Sequence, residues 1–132
     1  MKAAAARFEG SLFDIQALVQ ADLFDNELDA SEDLNKNGFS RGAGAIAGVV
    51  LEGHLATVCK NHNITLSKKK PTLVDLYEAL RKHDVIDIAT RRFIQHLADI
   101  RNNCDHKGAK EPSKEDVHDL VEGVRKISKT VF

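Results

Sequence analysis

Apolar residues in this chain recur at three- and four-residue spacing. Only two prolines interrupt its 132 residues, so long helices are possible and strands have no alternating pattern to build on. The cleanest case is Val117, Leu120, Val121, Val124, Ile127 and Val131, one stripe down one side of a helix. Ser113 stands before it as an N-cap, and Asp116 three residues on completes a capping box. The same logic predicts a helix from Thr72, boxed by Asp75, with Leu73, Leu76, Tyr77 and Leu80 inward. Another runs from Ile88 to about His106 and buries Phe93, Leu97, Ile100 and Cys104, with Lys107-Gly108 as its stop.

The first third reads less evenly. Phe8, Leu12, Ile15, Val19 and Leu23 form an inward stripe, broadened by Phe13 and Leu18, on a helix from Lys2 into the low twenties. Asp25 to Asn37 is acidic and polar and ends in Asn37-Gly38, which predicts a linker or irregular turn. Ser40 to about His62 is rich in glycine and alanine. Such a helix breaks when isolated, but packed centrally it lets neighbouring backbones approach, with Ile46, Val49, Val50, Leu51, Leu55 and Val58 as apolar contacts. The expectation is one all-α domain over residues 1–132, a helical bundle of about five helices with mostly short connections.

The net charge of −1 gives no global basicity, but its distribution is uneven. Residues 1–59 hold four Lys and Arg against nine Asp and Glu, and residues 60–132 hold fifteen against eleven. That polarity allows a local phosphate-binding surface in the second half. The segment Met1-Lys2-Ala3-Ala4-Ala5-Ala6-Arg7 lacks the apolar core of a signal peptide, and no window approaches the roughly 20 apolar residues of a membrane span. A cytoplasmic chain with no membrane partner is expected. In that setting the two cysteines are free thiols rather than a bridge.

Chemistry concentrates at Asp99-Ile100-Arg101-Asn102-Asn103-Cys104-Asp105-His106. Arg101 is an obligate cation and His106 titrates near neutrality. In a straight helix the two lie about 140° apart and about 7.5 Å along the axis, so they do not face each other. An ordinary helix end accounts for both: Arg101 pairs with Asp105 at i, i+4, and a cationic His106 answers the negative terminus.

The Arg-x4-His spacing, the polar Asn102 after the arginine, the small-residue helix with Leu51-Glu52-Gly53, and the following Pro-Ser-x2-Asp-Val helix start together resemble the HEPN superfamily. The resemblance covers about residues 40–132 and implies a small helical, metal-independent endoribonuclease of the toxin or abortive-infection type. It implies a homodimer in which two motif segments form one cleft on RNA. His106 would then move the proton as the 2′-hydroxyl attacks its phosphodiester, Arg101 would stabilise the added negative charge, and Asn102 would orient the histidine or bind phosphate. Asp105 and Glu52 stand behind the motif. Glu52 either supports Arg101 or is an exposed or otherwise paired glutamate. Lys107 and Lys110 would attract RNA phosphates, while Lys68-Lys69-Lys70 reads as a solvated loop. Some members carry a tyrosine two residues after the histidine, the site of modification by a partner; here Gly108 stands there. The remaining expectations are an antitoxin or larger defence-system partner, or else a non-catalytic dimerisation, RNA- or nucleotide-binding module or accessory subunit.

Neither metal nor cofactor is expected. Cys59-x2-His62 and Cys104-x-His106 match no zinc spacing. Gly42-x-Gly44 has no preceding strand to make a nucleotide loop.

Overall fold

The structure is a computed structural model describing residues 2–105 and 112–132, with side chains from Ile15 onward except Ala17. Five helices account for it: α1 Lys2–Lys36, α2 Ser40–Asn61, α3 Leu73–Lys82, α4 Ile88–Asp105 and α5 Lys114–Thr130. Among the described residues there is no strand.

Local chemistry sets the ends. Gly38 turns the chain at φ +89°, and Asn63 and Asp84 take left-handed conformations just past α2 and α3, where a helix ends by satisfying its last carbonyls. Thr72 and Asp75 form the expected box: Thr72 Oγ1 accepts from Asp75 N (3.2 Å), and Thr72 N donates to Asp75 Oδ2 (2.8 Å). The Thr72 backbone bond holds the Asp75 carboxyl below its ordinary range. At α5, Ser113 Oγ accepts from Asp116 N (2.9 Å), which is one half of the box expected there.

α2 packs against all four other helices. Ala43, Gly44, Ala47 and Gly48 are buried together with Val50, Leu51, Leu55 and Val58, because small residues let α1, α4 and α5 come close. Val49 points outward instead, 66% exposed, contrary to its expected inward role. By length and composition α2 is apolar enough to cross a membrane, which corrects the expectation that no window was. Half of its most apolar stretch is buried within the bundle.

The expected stripes of α3 and α5 are buried throughout. On α4, Ile94, Leu97, Ala98, Ile100 and Cys104 are buried, while Phe93 is half-buried with Lys126 Nζ 5.2 Å from its ring centre. Both cysteines are free and buried.

The largest correction concerns α1. The expected linker over residues 25–37 is helix as far as Lys36. Phe24, Leu28, Ser31 and Asn35 recur at helical spacing along the side that meets the bundle, and Leu28 is fully buried. Ser31 Oγ donates to the Ala43 carbonyl (2.6 Å), and Asn35 Nδ2 donates to the Lys114 carbonyl (2.9 Å). Arg125 of α5 holds Asp29 (2.7 Å) and Glu32 (3.1 Å). The acidic residues are thus the ion-paired and solvated flank of a helix. Conversely, Ile15, Leu18, Val19 and Leu23, expected inward, are exposed.

Candidate functional site

α4 runs antiparallel along α2, with Arg101 opposite Gly48 and Cys104 opposite Gly44. The aliphatic stem of Arg101 occupies the space a side chain at position 48 would need. Its side chain is 21% exposed, so the stem is packed and the guanidinium reaches the surface. Nη1 donates to Asp105 Oδ2 (3.2 Å), the i, i+4 pair expected from spacing. Nε is buried and meets no acceptor among the described residues. A buried donor left in that state is costly.

Arg41, in the first turn of α2, reaches the end of α4. Its Nη1 donates to the Cys104 carbonyl (3.0 Å) and the Asn103 carbonyl (3.4 Å). Those carbonyls carry the negative end of the helix, where a cation is favoured. Asn102 and Asn103 are exposed beside them. The end of α4 therefore gathers two guanidinium groups and two amides, one guanidinium held by the helix carbonyls and the other by the Asp105 carboxylate.

Glu52 lies one turn beyond Gly48 on α2 and is half-buried; the carboxylate bonded to Arg101 is that of Asp105, not Glu52. His106, Lys107 and Lys110 lie outside the described residues. Among the described residues, no group of three or more His, Cys, Asp and Glu is arranged to hold a metal ion.

Sequence reasoning singled out Arg101 and Asp105 and missed Arg41. One signal was present: Arg41 is the only Lys or Arg between Lys36 and Lys60, at the start of an otherwise apolar helix. In the sequence, Gly48 is one residue of the glycine- and alanine-rich run from Ser40 to His62. Its role as the seat of Arg101 depends on the α2–α4 register.

A second constellation lies at the other end of α2. His54 Nε2 bonds the Val131 carbonyl and His62 Nε2 the Phe132 carbonyl, both at 2.7 Å. His54 also meets Phe24 edge-on, 6.2 Å between ring centres. Burial pushes the His54 imidazole below its ordinary value, partly opposed by its backbone bonds to Val131 and Ile127. These contacts tie the C-terminal end of α5 to α2.

Compared with family models, curated proteins and solved structures, the chain matches none.

Proposed function

We propose that this chain is a HEPN-type, metal-independent endoribonuclease acting as a toxin or defence effector, with Arg101 and His106 as its catalytic pair. The supporting observation is the setting of Arg101. A packed stem over Gly48 holds the guanidinium at the end of α4, with its tip reaching the surface. His106 removes the proton from the RNA 2′-hydroxyl as that oxygen attacks the adjacent phosphorus. The bond to the 5′-oxygen breaks, a proton returns to that oxygen, and a cyclic 2′,3′-phosphate and a 5′-hydroxyl remain. Arg101 stabilises the charge gained by the non-bridging oxygens, with Asn102 beside it on the phosphate. Lys107 and Lys110 attract the strand without selecting bases.

In the proposed homodimer, two such segments converge on one RNA. Val49, exposed next to Gly48, and its neighbours Ala45 and Ile46 offer an apolar strip beside Arg101 for that contact.

The Arg101–Asp105 pair favours a second reading, a non-catalytic RNA- or nucleotide-binding module or accessory subunit, because a paired arginine also serves as an ordinary helix-surface ion pair. Purified protein with mixed RNA in EDTA separates the two. Cleavage in chelator that vanishes in both Arg101→Ala and His106→Ala supports the enzyme. Folded double-alanine protein that cuts at the wild-type rate overturns the site. His106→Gln retains binding and loses cutting if the histidine moves protons. Lys107→Ala with Lys110→Ala weakens binding and flattens its salt dependence. Sedimentation that finds only monomer at high protein concentration removes the composite cleft.

A further inference from the structure

α1 is about 50 Å long and α2 about 33 Å. Gln20 Nε2 donates to Thr57 Oγ1 (2.9 Å), one turn before α2 ends at Asn61, so the start of α1 runs on past the end of its neighbour. On this part of α1, Ile15 (57%), Leu18 (67%), Val19 (54%) and Leu23 (56%) are each more than half exposed. Phe24, Leu28 and Ser31 mark the side of α1 that meets α2, and Asp29 and Glu32 mark the side held by Arg125 of α5. Helical spacing puts Ile15, Val19 and Leu23 on the remaining side, away from both, with Leu18 at its edge toward the side of Asp29. Together the four side chains expose on the order of 400 Å² of apolar surface, the size of the largest patch on a typical monomer, which is often functional.

The charge around this face restricts what can cover it. Residues 15–27 contain Asp22, Asp25 and Glu27 and no Lys or Arg. Exposed Asp22 stands one turn from both Leu18 and Val19, and exposed Glu27 one turn from Leu23. RNA and anionic lipid are repelled by such a flank. A second copy laid along the same face would bring two acidic flanks together, at a cost in like-charge repulsion. A cationic partner is attracted, and a helix supplies apolar side chains at the spacing of the stripe.

We propose that the Ile15–Leu23 face of α1 docks a basic amphipathic helix of another protein. Apolar side chains of the partner pack between Ile15, Leu18, Val19 and Leu23, and its lysines or arginines meet Asp22 and Glu27. This surface is separate from Arg101, and the proposal stands whether or not the chain cuts RNA.

The probe is a fluorescently labelled, synthetic leucine–lysine amphipathic helix of about 18 residues, a length typical of helix-in-groove ligands. Its controls are a scrambled peptide of the same composition and a leucine–glutamate analogue. Full-length protein is expected to bind the amphipathic cationic peptide and to bind both controls at least about tenfold more weakly. Leu18→Asn with Leu23→Asn, both at exposed positions, should weaken binding about tenfold with helix content unchanged. Asp22→Asn with Glu27→Gln should weaken it and reduce its salt dependence. No binding at about 100 µM peptide overturns the proposal. So does scrambled peptide binding equally well, or unchanged affinity in the leucine variant. A wild-type dimer that Leu18→Asn with Leu23→Asn converts to monomer assigns the face to a second copy and likewise overturns it.

Discussion

The stem of Arg101 lies across Gly48, so a β-carbon at position 48 would overlap Arg101 Cγ. That contact couples a glycine in α2 to the cation at the end of α4. Gly48→Ala gains helix propensity but must displace the base of the arginine, so a net loss of about 1 kcal/mol is expected. Gly42→Ala is the control. Nothing lies within 4 Å of a β-carbon there, so that variant should be neutral or slightly stabilised. Urea unfolding of the two variants checks the difference. If Arg101 acts on RNA, Gly48→Ala also loses cleavage while Gly42→Ala keeps it.

Arg41 is expected to hold the end of α4 in place. Arg41→Met keeps much of the apolar stem but removes the donors to the Asn103 and Cys104 carbonyls. A loss of about 1 kcal/mol follows from the missing charge-assisted bonds. Amide hydrogen exchange should quicken first in the last turn of α4, before α3 or the middle of α5. Uniform quickening across the bundle would show that Arg41 acts elsewhere.

Leu28 and Leu23 distinguish a structural helix from a linker. Leu28 is fully buried, so Leu28→Ala should cost about 3 kcal/mol in unfolding free energy. Leu23 is exposed, and Leu23→Ala should stay within about 0.5 kcal/mol of wild type. Equal effects at the two positions would contradict the register of α1 on α2.

His54 predicts a pH dependence. Its folded pKa lies below the ordinary 6.5, chiefly because burial disfavours the imidazolium. The unfolded chain therefore binds more protons in the window just below 6.5, and stability rises with pH there. The contribution is fully present above 6.5 and is lost as pH falls toward the depressed folded value. Denaturant melts at pH 5 and pH 7.5 should show a smaller difference in His54→Gln than in wild type. An unchanged difference would assign the effect to other groups.

The stripes of α3 and α5 and the capping residues Thr72 and Ser113 were legible from spacing alone. Helix formation there is local, and each stripe has one possible use. The small residues of α2 likewise announced a crowded central helix. α1 was not legible in the same way. It carries two faces with chemistry a sequence reader ranks wrongly: an apolar one, Ile15 to Leu23, and a polar one containing Ser31 and Asn35. The fold buries much of the second because Ser31 and Asn35 find hydrogen-bond partners and Arg125 pairs Asp29 and Glu32. Those partners are 12 to 96 residues away along the chain, so no local pattern contains them.

The candidate site divides along the same line. Arg101 and Asn102 are singled out by the resemblance of the Arg-x4-His segment, while spacing on a single helix gives only the Arg101–Asp105 pair at i, i+4. That Arg101 rests on Gly48, and that Arg41 caps the same helix end from α2, depends on how α2 and α4 slide past each other. Register is set by which side chains fit between two helices, so it emerges only once both are packed.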